Sequence, residues 1–257
     1  MNKKRLLSLL AAAVMLAGLL AGCGGNKNPD PPQDPTTAQD TPAPAEKKTP
    51  EEPGADEDED YTTGDASLDN PRNQDGIGAD ELLVVSFGTS FNDNRRLTIG
   101  AVEEAMEKAF PDWPVRRAFT AQLIIDRLQR RDGEVIDNVG QALDRAVENG
   151  VKRLVIQPTH LMDGLEYNDV VNEAAQYADA FESMAIGAPL LTSGEDFQIV
   201  ARTMAEATAQ YDDGKTAICF MGHGTEAASN AVYAKMQQVM TDAGYANCFI
   251  GTVEAAP

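Results

Sequence analysis

Three cysteines and two histidines are all the thiol and imidazole ligands that 257 residues provide. So few cysteines exclude a disulfide framework, and no Cys-x-x-Cys pair is present to hold a structural zinc. Basic residues are scarce too: 21 Lys and Arg stand against 41 Asp and Glu, giving a formal net charge of −20. A nucleic-acid-binding protein needs a basic face to displace counterions, so that class is excluded. The glycine turns carry neither Gly-x-Gly-x-x-Gly spacing nor a Walker lysine, which argues against nucleotide binding. The absence of a Gly-x-Ser-x-Gly elbow argues against an esterase of the α/β-hydrolase type.

What is present divides into unlike segments. Lys3, Lys4 and Arg5 precede an apolar run, Leu6 to Leu20, interrupted only by Ser8. That run falls short of the roughly 20 residues a spanning helix needs and suits the core of a signal peptide. It ends in Leu20-Ala21-Gly22-Cys23, which resembles a lipoprotein cleavage box with Cys23 as the lipidated residue. Residues 1–22 are thus expected to be a lipoprotein signal peptide, with an ordinary signal and an incidental cysteine as the alternative. The expected location is exported and lipid-anchored at the extracytoplasmic face of the membrane, since acyl chains each add membrane affinity per buried methylene.

Residues 26–80 hold 15 acidic and 4 basic residues and almost no large apolar side chain. Such a stretch cannot bury enough apolar area to offset its backbone entropy. Residues 23–80 are therefore expected to be a disordered acidic tether, or alternatively a cation-collecting tail, with the fold starting near Glu81.

Beyond Glu81 the pattern alternates. Leu82 to Phe87 reads as a strand covered on both faces, and further strands are expected at Val115–Phe119, Arg153–Gln157, Met184–Ile186, Thr216–Met221 and Cys248–Val253. Helical patterns lie between them: Arg95–Ala109, Ala121–Arg131, Asn138–Asn149, Tyr167–Phe181, Glu195–Gln210 and Ala227–Ala243. This alternation predicts an α/β fold with parallel, doubly wound sheets. Residues 81–190 carry four of these strands and 191–257 only two, so two lobes are expected, the second incomplete. Cys219 and Cys248 fall within apolar strands and are expected to be core thiols.

Open parallel sheets bind ligands beyond the carboxyl ends of their strands. Those ends here read Ser86-Phe87-Gly88-Thr89-Ser90, Gln157-Pro158-Thr159-His160, Gly222-His223-Gly224-Thr225-Glu226 and Gly251-Thr252-Val253-Glu254. Both histidines of the chain therefore sit at the binding edge. His223, between two glycines, has room for a ligand to approach, while His160 after Pro158 equally suits a structural turn. His223 with Glu254 offers a nitrogen and oxygen set for Co²⁺, Ni²⁺, Fe²⁺ or Zn²⁺. Between Arg95 and Arg131, eight basic residues outnumber five acidic ones in an otherwise acidic segment. Arginine forks recognise carboxylates, so Arg117 and its neighbours point to a polyanionic small molecule.

Five ordered motifs carry a resemblance over residues 81–257: Val85 to Ser90, Arg117-Ala118-Phe119-Thr120 with Arg131-Asp132-Gly133, Gln157 to His160, Met221 to Gly224, and Gly251 to Glu254. Together they resemble the anaerobic sirohydrochlorin cobaltochelatases, class II chelatases related in fold to ferrochelatase. The resemblance implies ATP-independent insertion of Co²⁺ into sirohydrochlorin in anaerobic cobalamin synthesis, with Fe²⁺ and Ni²⁺ not separable from Co²⁺. It implies His223 as catalytic residue and metal ligand, Glu254 as metal ligand, and Ser86, Thr89, Arg117, His160 and Glu166 at the tetrapyrrole. A second ligating histidine of that family, in a later Gly-Asp-His motif, has no counterpart before Pro257, and the chain is read as C-terminally truncated. The competing class is a membrane-tethered lipoprotein that binds metal, haem or another tetrapyrrole without turnover. A homo-oligomer stays open.

Overall fold

The computed structural model describes residues 63–254. The expected signal peptide, Cys23 and the tether through residue 62 lie outside the described residues. Among the described residues no helix is long and apolar enough to cross a membrane.

Five strands form the first sheet: β1 (Asp80–Ser86), β2 (Val115–Phe119), β3 (Asp137–Asn138), β4 (Arg153–Pro158) and β5 (Ser183–Ile186). Their order is β3-β2-β1-β4-β5, and every pairing is parallel. The central strand β1 is buried from Glu81 to Ser86, as its nearly unbroken apolar run requires when both faces are covered. Helices α1 (Asn92–Leu97), α2 (Ile99–Ala109), α3 (Gln122–Asp132), α4 (Val139–Glu148) and α5 (Leu165–Ala175) connect the strands. Leu83 and Val85 face α4 and α5, packing with Val139, Leu143, Ala146, Val170 and Ala174. Leu82 and Val84 face the other way, toward Met106 of α2 and Phe110 just after it. Successive β1 side chains thus feed two cores, and the sheet is doubly wound.

The second sheet holds β6 (Ile218–Gly222) and β7 (Cys248–Thr252), again parallel. Helices α6 (Gly194–Thr208) and α7 (Ala231–Asp242) cover one face, where Phe197, Met236, Met240 and Cys248 are buried together. Along β6 the alternate residues Cys219 and Met221 stand exposed. This corrects the expectation for Cys219: only Cys248 of the two thiols is buried, because helices cover one face of this sheet among the described residues.

Three further departures have physical causes. The two-residue β3 is too short to leave a periodic signal, and its Asn138 serves mainly as the N-cap of α4, in a capping box with Gln141. The single helix expected from Arg95 to Ala109 is broken at Thr98, whose hydroxyl donates back to the Asn94 carbonyl at 2.7 Å. The fold also starts before Glu81. Arg72 is 3 % exposed, its carbonyl accepts from the Arg117 amide, and Asp69 bonds two buried arginines. An acidic composition hid this, because charges that pair inside the fold look like solvated ones in the sequence.

Candidate metal and tetrapyrrole cleft

The carboxyl ends of β4, β6 and β7 converge on a cavity of about 340 Å³. His160 and Glu166 enter it from the first sheet, His223, Glu226, Tyr233 and Glu254 from the second. His223 follows β6 directly. Its carbonyl accepts from the Glu254 amide at 2.7 Å, and the Gly222 carbonyl accepts from the Val253 amide at 3.0 Å. The β6–β7 pairing therefore continues past the strands and holds the two site residues side by side.

Gly224 is what permits this approach. Its φ is +87°, and a Cβ there would overlap the Glu254 carbonyl. The Gly224 amide donates to the Tyr233 hydroxyl at 3.3 Å, tying the turn to α7. His223 Nδ1 lies 3.2 Å from the Gly224 carbonyl and 3.9 Å from Glu254 Oε2. Both neighbours are acceptors, an arrangement that suits the tautomer with its proton on Nδ1 and leaves Nε2 facing away from them. Both side chains are largely exposed, at 77 % and 66 %. They form an open pair of nitrogen and oxygen donors. Among the described residues no group of three or more His, Cys, Asp or Glu side chains is arranged to hold a metal ion.

His160 is different. Both of its ring nitrogens are shut off from solvent and have no protein partner. Burial lowers its pKa, and the nearby Glu166 only partly offsets that, so the ring is neutral at pH 7. The main chain fixes its place, because the His160 carbonyl accepts from the Leu190 amide. Of the exposed apolar side chains, Leu161 and Leu165 line the cavity, and Phe87, Leu190, Met221 and Val253 are exposed at or near other strand ends. A flat ligand larger than the cavity can extend over such a rim.

Two expected substrate contacts do not face the cleft. Arg117 is 1 % exposed and lies in the interior of β2, where Glu103 and Asp69 each take two of its N–H bonds. An arginine so enclosed cannot meet a substrate carboxylate, so that reading is corrected. Its neighbours fare alike: Arg95 and Arg116 are fully buried, each paired with carboxylates. Ser86 is 2 % exposed and accepts from the Thr159 hydroxyl at 2.8 Å, linking the ends of β1 and β4 instead of meeting a ligand. Thr89 is half-buried in the loop after β1, with its carbonyl accepting from Arg95 Nη1. No basic side chain lines the cavity, and its three carboxylates suit a cation.

Sequence reasoning missed Tyr233, Glu226 and Asp69. Glu226 stands in the quoted Gly222–Glu226 turn and was within reach; Tyr233 and Asp69 act across folded contacts that no local motif announces. A second cavity of about 390 Å³ lies between α3 and α4 beside β3, lined by Gln122, Asp137, Asp144 and Arg145 among others. It contains no histidine and none of the expected site residues.

The family model described as "Cobalt chelatase (CbiK)" matches residues 80–257. A sirohydrochlorin cobaltochelatase of Salmonella typhimurium strain LT2 is 34 % identical over 176 residues, 68 % of this chain and 66 % of its own length. Sirohydrochlorin cobaltochelatase CbiKC of Nitratidesulfovibrio vulgaris strain Hildenborough is 31 % identical over 157 residues, 59 % of this chain and 54 % of that protein. The chain thus spans between about half and two thirds of the curated relatives it matches.

Proposed function

The chain belongs to the CbiK family of cobalt chelatases, and from that premise we propose that it inserts Co²⁺ into sirohydrochlorin, without ATP, as a step of anaerobic cobalamin synthesis. The observation that carries the proposal is the open His223–Glu254 pair facing His160 and Glu166 across one cavity at the strand ends. Two relatives named for this activity support the choice of substrates.

In this reading Co²⁺ is the substrate metal, held by His223 Nε2 and a Glu254 oxygen on one face of the macrocycle. The apolar rim receives the flat ring. Two pyrrole N–H protons leave as the ring nitrogens take the dication, so overall charge is conserved. Once His223 releases the metal, its Nε2 lone pair is free to accept one of those protons. Glu166 and Glu226 draw the cation in and carry protons out.

His223→Ala should abolish cobalt insertion while sirohydrochlorin still binds with affinity within about tenfold, since His223 is proposed to hold the metal and take a proton, and the macrocycle has other contacts. Unchanged turnover in that variant would remove His223 from the mechanism.

The proposal keeps the chain exported and lipidated at Cys23. Support comes from the basic start, the 15-residue apolar run and the Leu20-Ala21-Gly22-Cys23 box. Labelled palmitate should enter the expressed protein and be lost in Cys23→Ser; equal labelling of both would refute it.

A further inference from the structure

The segment from Thr63 to Arg72 precedes the family-matched residues, which begin at 80, yet it is built into the fold. Asp69 is its anchor. One carboxylate oxygen accepts from Arg95 Nε at 2.7 Å and from Arg117 Nη1 at 2.7 Å, and the other accepts from Arg117 Nη2 at 3.2 Å. The side chains of both arginines are fully buried and that of Asp69 nearly so. Burial alone would raise the Asp69 carboxyl, but the bonds and charges of Arg117 and Arg95 outweigh it and hold it below the usual carboxylate range.

Arg95 passes this anchorage on. Its Nη1 donates to the Thr89 carbonyl at 3.3 Å and to Asn92 Oδ1 at 2.9 Å. Arg131 Nη2 holds the adjacent Ser90 carbonyl at 2.7 Å and shares Asn92 Oδ1. Two successive peptide planes of the β1 loop are thereby fixed from below. The same segment grips the loop's far end: the Thr63 carbonyl accepts from the Asp93 amide at 2.8 Å and the Gly64 carbonyl from Asn92 Nδ2 at 3.2 Å. Gly64, at φ +88°, packs so closely on Asp93 that a Cβ would overlap its carboxylate.

We propose that residues 63–72 form a strap that positions the β1 loop, with Asp69 as the positioning residue acting through Arg95 on Thr89. The strap holds the loop after the central strand at the strand-end edge, where the tetrapyrrole is proposed to lie. Its bearing on catalysis rests on the function proposed above and on Thr89 being the substrate contact that the sequence resemblance implies; its bearing on loop order does not. Asp69 is therefore not a catalytic residue. It sets the shape of a surface that meets substrate.

Hydrogen exchange read by mass spectrometry tests the strap without any turnover. In Asp69→Asn, peptides covering residues 87–98 should exchange about tenfold or more faster, while β6–β7 peptides keep the parent rate, because local opening is confined to the unit that lost its anchor. Asp69→Glu should restore most of the protection. Asp80→Asn, which breaks an ion pair with Arg153 at the opposite end of β1, serves as a destabilised control whose exchange should not concentrate in the loop. If Asp69→Asn accelerates all peptides equally, or leaves residues 87–98 unchanged, the strap proposal is wrong. In the insertion assay the same variant should raise KM for sirohydrochlorin about fivefold with kcat within about twofold, a pattern of lost binding. A parent protein without turnover would overturn the proposed function and leave the exchange result to decide the strap.

Discussion

Burial of Glu81 in the middle of the sheet raises its carboxyl to about 7, against 4.5 for an ordinary glutamate, and Arg116 only partly counteracts this. The contact is long, 3.5 Å, and Glu81 Oε2 has no partner. The folded state therefore binds the Glu81 proton more tightly than the unfolded chain does. The stability this contributes is complete below about pH 4.5 and is lost as the pH rises through about 7. Glu81→Gln should flatten that part of the pH dependence and exceed the parent at pH 8 by up to about 3 kcal/mol, the free energy linked to a carboxyl moved from 4.5 to about 7. Arg116 keeps Asp137 as its charge partner in the variant. Urea unfolding at pH 5 and pH 8 measures it; an unchanged difference between the two pH values would show that Glu81 is not the titrating group. At this scale the sequence misleads most. Arg117 looks like a carboxylate receptor because nothing local reveals that Asp69, 48 residues away, and Glu103 already occupy its fork.

The turn after β6 is the element on which the cleft depends. Gly224 lets the β6 turn and the end of β7 touch, placing His223 against Glu254. Gly224→Ala brings both a positive-φ penalty of roughly 1–3 kcal/mol and an overlap that backbone must relieve. Separation of the pair should weaken Co²⁺ binding more than tenfold by calorimetry, while the far-ultraviolet circular dichroism stays close to the parent's. Parent-like cobalt affinity would show that the turn does not set the ligand pair. The strand and helix alternation was legible because β1 and the strands around it are apolar enough to be read without their neighbours. The His223 turn was legible because two glycines and a strand end mark it locally. The strap was not, since its carboxylate and its arginines meet only after the chain has folded, and β3 was not, since two residues carry no period.

Across the whole molecule, charge and chemistry separate. The −20 of the chain includes 15 acidic residues upstream of Glu81, of which Asp69 proves to be an internal counter-ion. Of the eight basic residues in the arginine-rich window, Arg95, Arg116 and Arg117 are buried in ion pairs around the first sheet. What remains at the strand ends is an acidic, imidazole-bearing cleft with an apolar rim, suited to a dication and a flat ring. A lipoprotein that binds metal or tetrapyrrole without turnover would use the same cleft. Counting product separates the two. With a tenfold excess of sirohydrochlorin and Co²⁺ over protein, the absorbance of the metallated ring should continue to grow past one equivalent, faster than the protein-free reaction. A spectral change that stops at one equivalent per chain would contradict the chelatase and leave a binding protein.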